Sequence, residues 1–225
     1  MERIIKCVSI VIHNVKVGSK ILDIGCGSGL FGEILAKKGY KVYGIDVLPC
    51  KDECLRKGYI DVKESIDVNY GIPYNDEFFD LVFCGEIIEH IWDTTFFLCE
   101  VNRVLLNDGY ILLTTPNLAT IANLPRLILG QQLYPVEYAR DKKWQQCSDQ
   151  HLTYYSPNSL KHQLISTGFS NIHFYGYAKY DKHLIRRIIY KILSLFPTHS
   201  SELIVLAKKK RNIRLKRKII KLSTW

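Results

Sequence analysis

The chain has 225 residues, 31 Lys and Arg against 22 Asp and Glu, a formal charge of +9 and 47% hydrophobic residues. That balance, with a near-neutral mean hydropathy, excludes a disordered, collagen-like or membrane-spanning chain and fits one globular domain. The charge is localised: the stretch through Leu206 holds 22 basic and 22 acidic residues, and the other nine basic residues, from Lys208 to Lys221, lie in the last 19 positions, which contain no acid. A neutral body, 1–207, is thus followed by a basic tail, 208–225.

The N-terminal run from Ile4 to Val15 is apolar but broken by Lys6, Ser9 and His13, and no small-residue cleavage site follows it. Ile4, Ile5, Val8, Val11 and Ile12 are expected to share a face of a helix that caps a sheet edge. Strands are then predicted at Lys20–Gly25, Lys41–Asp46, Ile60–Lys63 and Phe79–Cys84, and after the Asp108-Gly109 turn at Tyr110–Thr115. Helices are predicted between them at Leu30–Lys38, Pro49–Lys57 and Thr94–Leu106. Ser156 followed by Pro157 marks a further helix start and Gly168 its end. Two late strands are expected at Asn171–Tyr177 and Glu202–Ala207. This alternation is that of a parallel α/β sheet covered by helices. Two segments interrupt it, 118–150 and 183–196, and both are read as substrate or lid insertions.

Seven cysteines, at 7, 26, 50, 54, 84, 99 and 147, give an odd count with no C-x-x-C pair. They point to a reduced, cytoplasmic protein. Cys50 and Cys54 are four apart on an expected helix, a spacing that could hold a metal, but no second pair supports them, so they read as buried or half-buried thiols.

The run Asp23-Ile-Gly25-Cys26-Gly27-Ser-Gly29 is a strand entering a glycine turn that opens a helix. Such a turn brings backbone amides close to a carboxylate or phosphate. Gly27-x-Gly29-x-x-Gly32 also matches a dinucleotide fingerprint, with Asp46 roughly 20 residues on, so an NAD(P)-binding oxidoreductase is the reading from a different class. Asp23 inside the end of the strand discriminates against it.

With that acid in place, the chain resembles the class I S-adenosylmethionine-dependent methyltransferases. The resemblance implies a Rossmann-like, mostly parallel seven-stranded sheet of order 3-2-1-4-5-7-6. It also implies a cofactor site built from Asp23, Gly25, Cys26, Gly27 and Gly29, from Asp46 and Val47 at the ribose, from Asp67 and Val68 at the adenine, and from Cys84. A bidentate carboxylate suits paired ribose hydroxyls.

Glu86, Glu89 and His90 follow the fourth strand at i, i+3 and i+4. On a helix they would share one face while Ile87, Ile88 and Ile91 turned to the sheet. Two carboxylates and an imidazole make a divalent cation site short of one ligand, which His151 could supply. The pattern resembles two branches of the family, the ubiquinone-pathway catechol O-methyltransferases and the small-RNA 3′-terminal 2′-O-methyltransferases. It implies a Mg or Mn ion on Glu86, Glu89, His90 and His151, with His90, His151 and Glu86 as catalytic groups. In methyltransferases of sugars and other small molecules the same pattern does not imply a metal, and His90 there would act as a base or hold the loop by a hydrogen bond. Methyl transfer from a sulfonium needs alignment, exclusion of water and, for a hydroxyl, removal of a proton. An O-methyltransferase of a small-molecule, glycan or lipid-linked hydroxyl is expected.

The segment His183–Phe196 carries an apolar face of Ile185, Ile188, Ile189, Ile192, Leu195 and Phe196 opposite Arg186, Arg187 and Lys191. It reads as a lid or dimer helix or, with the 208–225 tail, as a surface for anionic lipid on the inner face of a membrane. RNA is the less favoured partner, because the tail lacks interleaved stacking aromatics.

Overall fold

The computed structural model describes residues 1–120, 123, 127–130, 151–177, 192 and 195–213. The apolar runs become strands β1 (Lys20–Ile24), β2 (Lys41–Ile45), β3 (Asp61–Lys63), β4 (Phe79–Gly85), β5 (Leu105–Pro116), β6 (Phe169–Tyr175) and β7 (Glu202–Lys209). Helices α1 (Glu2–Asn14), α2 (Leu30–Ala36), α3 (Lys51–Arg56), α4 (Thr94–Val104) and α5 (Pro157–Ser166) surround them. The sheet order is β3-β2-β1-β4-β5-β7-β6. Strands β1 to β5 pair in parallel, and β7 runs antiparallel between β5 and β6.

Both sheet faces are buried, which is why the strands read as continuous apolar runs. Alternate residues divide between two cores. Leu22, Val82, Ile111, Leu113 and Val205 meet α4 and α5 through Phe97, Val101, Leu160 and Leu164. Ile21, Leu81, Phe83, Leu112 and Ile204 meet α1, α2 and α3 through Val8, Val11, Phe31, Leu35 and Cys54. Each such side chain, fully buried, contributes about 1.5–3 kcal/mol.

The helix ends follow local chemistry. The Asp93 carboxylate accepts a hydrogen bond from the Phe96 amide at 2.9 Å and starts α4. Ser156 and Ser159 form a reciprocal cap at the start of α5, with Pro157 in its first turn. Gly168 at φ +91° closes α5, a conformation that costs glycine nothing.

Four expectations shift. The buried face of α1 is Cys7, Val8, Ile10 and Val11, while Ile5 and Ile12 are exposed: the stripe is rotated because Cys7 counts as an apolar residue. The Asp108-Gly109 turn lies within β5 and not before it, as an irregularity between the Leu105 and Tyr110 pairings, with Asp108 at φ 65°. Strand β6 begins and ends two residues earlier than expected. Strand β7 continues through Lys209, so the 207/208 boundary falls inside the sheet.

Two residues of the supposed basic tail are therefore structural. Lys208 pairs with Asp108 at 2.9 Å. Lys209 is 1% exposed and donates to the Leu105 carbonyl at 2.6 Å. The chain is then tied down by the Gly168 carbonyl, which accepts from the Lys210 amide, and by Asn102, which donates to the Arg211 carbonyl. The rest of the tail from 214, most of 183–196, most of 118–150 and Cys147 lie outside the described residues.

Candidate active site

Where the strand order reverses, between β1 and β4, the carboxyl ends of the parallel strands open a crevice in which such sheets bind ligands. The glycine turn lies at its floor. Gly25, Gly27 and Gly29 all have positive φ, and a Cβ on Gly27 would meet nothing within 4 Å, so this turn presents bare backbone to open space. Asp46, just past β2, spans the turn: one oxygen accepts from the Gly27 amide at 2.7 Å, the other from the Leu48 amide at 2.9 Å. Val47 and Leu48 beside it are exposed. Asp67 caps a single 3-10 turn, Val68–Tyr70, accepting from the Asn69 backbone and side chain.

Asp23 differs from the expectation of direct cofactor contact. It is 2% exposed beneath the turn, and its Oδ2 accepts a hydrogen bond from the Tyr59 hydroxyl at 2.6 Å. Burial pushes its carboxyl up to about 7, opposed by the Tyr59 hydrogen bond and assisted by the charge of Asp46. The same hydroxyl accepts from the Gly32 amide at 3.1 Å, and the Tyr59 ring fills the space a Cβ on Gly32 would need. Tyr59 is thus a strut that ties strand acid, helix start and glycine turn together. The Val68 and Cys84 side chains both belong to the hydrophobic core. The Cys26 side chain is buried under the turn beside Cys50 and Cys54.

Beyond β4 no full helix forms. Glu86 takes φ 57°, and only a 3-10 turn follows at Ile88–His90. The Glu86 oxygens accept from Thr114 Oγ1 at 2.8 Å and pair with Arg3 of α1 at 3.3 Å. Arg3 also reaches Glu202 at 3.3 Å. Glu86 thus ties the start of α1 to the end of β4, and its oxygens are not among the ligand atoms that cluster.

The cluster that does form is Glu89, His90 and His151, whose ligand atoms lie within 4.8 Å of one another. His151 reaches it because residues 151–155 return along the end of β5. The Leu118 amide donates to the Tyr155 carbonyl there, and the Leu152 and Thr153 amides both donate to the Glu89 carbonyl. The two imidazoles stand 4.9 Å apart edge to face. Glu89 is buried; Oε2 accepts from Thr115 at 3.0 Å, and Oε1 has no hydrogen-bond partner. Burial, then the neighbouring Glu86 charge, pushes its carboxyl up to about 8. An orphaned buried carboxylate oxygen beside two imidazoles fits a divalent cation.

Sequence reasoning missed Arg3, Tyr59, Thr114 and Thr115. The two threonines were visible as polar breaks at the end of an apolar strand.

Residues 8–174 match the profile of a methyltransferase domain. The chain belongs to the class I S-adenosylmethionine-dependent methyltransferases. The oxidoreductase reading of the glycine turn falls with that match. Curated relatives include the mitochondrial ubiquinone biosynthesis O-methyltransferase of Bos taurus, 28% identical over 164 residues, which are 68% of this chain and 42% of that protein. The ubiquinone biosynthesis O-methyltransferase of Pasteurella multocida is 30% identical over 133 residues, 53% of this chain and 54% of that protein. The methyltransferase chain thus spans about half the length of the curated relatives it matches. Among solved structures, an S-adenosylmethionine-dependent methyltransferase from Archaeoglobus fulgidus superposes with a TM-score of 0.62 at 20% identity, covering 93% of this chain and 95% of that one. No helix among the described residues is long and apolar enough to cross a membrane.

Proposed function

We propose that this methyltransferase transfers a methyl group to a hydroxyl of a small-molecule, glycan or lipid-linked acceptor, with Glu89, His90 and His151 as its divalent cation site. The observation that carries the reading is the buried Glu89, whose Oε1 has no hydrogen-bond partner and whose carboxylate lies within 4.8 Å of the ligand nitrogens of both imidazoles. Asp46 and the glycine turn would hold the nucleoside and amino-acid ends of S-adenosylmethionine, and Asp67 its adenine, while Asp23 and Tyr59 keep the turn in shape. S-adenosylmethionine supplies the methyl group as a sulfonium. A Mg or Mn ion would supply positive charge that lowers the pKa of the acceptor hydroxyl. In place of an ion, His90 would act as the base that takes the proton, and Thr115 donates a hydrogen bond to Glu89 and holds it in position. Arg3, paired with Glu86 and Glu202, ties the start of α1 to the ends of β4 and β7. The names of the two ubiquinone-pathway relatives support a small phenolic or quinol-like acceptor.

Strand β6 ends and β7 begins at the crevice end of the sheet, where an acceptor would enter.

Calorimetry with S-adenosylmethionine tests the cofactor assignment: binding to wild type and at least a 100-fold loss in Asp46→Ala are expected, on the scale of a charged ribose contact. A screen of quinols, catechols, glycans and RNA ends, each with Mg, Mn or chelator, tests the rest. Methylation that chelator leaves unchanged, or that survives His151→Ala at full rate, would refute the cation site.

A further inference from the structure

The turn that forms the crevice floor carries a second cluster on its hidden side. Cys26 in the turn, Cys50 at the N-terminal cap of α3 and Cys54 in its first turn come from two segments of the chain and converge. Cys26 Sγ lies 3.7 Å from Cys50 Sγ and 4.0 Å from Cys54 Sγ, and all three sulfurs are within 4.8 Å of one another. Buried thiols used only as small apolar groups have no reason to aim at a common point. Four sulfurs around zinc at ~2.3 Å are separated by about 3.8 Å, the spacing seen here. Cys26 and Cys54 are buried and Cys50 is half-buried.

We propose that Cys26, Cys50 and Cys54 form a three-thiolate site for a soft metal ion, zinc in the first place, distinct from the Glu89, His90 and His151 cluster. Binding exchanges three S–H protons for three metal–sulfur bonds, with no change of oxidation state. The ion ties the β2–α3 connection, which carries Asp46 and Val47, to the glycine turn. Metal loading therefore stiffens the part of the crevice that faces the nucleoside.

The test is Co(II) titration of the reduced full chain after dialysis against chelator, followed by the thiolate-to-cobalt charge-transfer band in the near ultraviolet. One equivalent is expected to saturate the band, and zinc is expected to abolish it by displacement. Cys50→Ser, at a half-buried position that tolerates serine, is expected to weaken cobalt binding at least 100-fold, beyond the roughly 10–100-fold that losing an outer partner costs. Cys99→Ser, outside the cluster, should give the wild-type charge-transfer band. No charge-transfer band in the reduced wild-type protein, or an undiminished one in a Cys50→Ser/Cys54→Ser variant whose near-ultraviolet circular dichroism is native, would overturn the proposal. Calorimetry with S-adenosylmethionine on the same samples reads the cofactor assignment separately.

Discussion

Replacing Tyr59 by Phe removes one oxygen and leaves the ring packed on Gly32. Two hydrogen bonds go with it: the one donated to Asp23 Oδ2 and the one accepted from the Gly32 amide. Leaving a buried acceptor unmet costs about 1–3 kcal/mol, more when it is charged, and an amide in the first turn of a helix adds about 1 kcal/mol. The pH decides which figure applies. The Asp23 carboxyl titrates at about 7 in the folded protein, above its ordinary value of 3.8. At about 1.4 kcal/mol for each tenfold change in proton affinity, ionising it in place withholds about 4 kcal/mol. The folded state therefore holds this proton more tightly than the unfolded chain, and wild-type stability falls as pH rises from about 4 to about 7. The Tyr59 hydrogen bond is the one influence lowering that value, so the variant's decline extends to higher pH. Denaturant unfolding should show Tyr59→Phe losing about 3 kcal/mol at pH 8 and about half of that at pH 5, where Asp23 is neutral in both proteins. At about 2–4 °C per kcal/mol the melting temperature at pH 8 drops by about 6–12 °C. Equal losses at both pH values, or a loss below about 0.5 kcal/mol at pH 8, would refute the strut.

Two further substitutions probe how the chain is closed after β7. Lys209→Ala removes a buried ammonium and its stem and leaves the Leu105 carbonyl without that donor; unfolding experiments should report a loss of about 2–4 kcal/mol, although the position reads as part of a solvated tail. Asn102 is fully buried and donates to the Thr167 and Arg211 carbonyls at 3.1 Å. Asn102→Ala should cost about 2–3 kcal/mol and, in limited trypsin digestion, speed cleavage at Arg211 relative to sites in the body.

Much of this was legible in the sequence, and the rest fails for definable reasons. Strands buried on both faces, punctuated by glycine turns, fix element type and order, and the family resemblance supplies the sheet order. Cofactor-side acids at strand ends are local signals. Tyr59 lies 36 residues from Asp23, and Arg3 lies 199 from Glu202, so no spacing connects them. Glu86 was misplaced for a different reason: the i, i+3, i+4 pattern presumes a helix, and a single residue at positive φ turned the backbone before one began. The third thiol of the cysteine cluster was likewise hidden, because Cys26 reads as part of the glycine turn.

The direction of β7 has a consequence for how the enzyme meets a surface. Its first residues pair with the end of β5 at Pro116, beside the crevice, and its last with the start of that strand, near Tyr110. Eight residues of strand carry the chain about 25 Å from one pole of the sheet to the other. Lys210 and Arg211, which follow β7, thus lie at the pole opposite the crevice, where their amides donate to the Gly168 carbonyl. An anchor on that side would hold the molecule with its reactive mouth turned outward, presented to acceptors arriving from solution and not to those lying in the anchoring surface. A fluorophore or affinity tag placed there would leave the crevice clear.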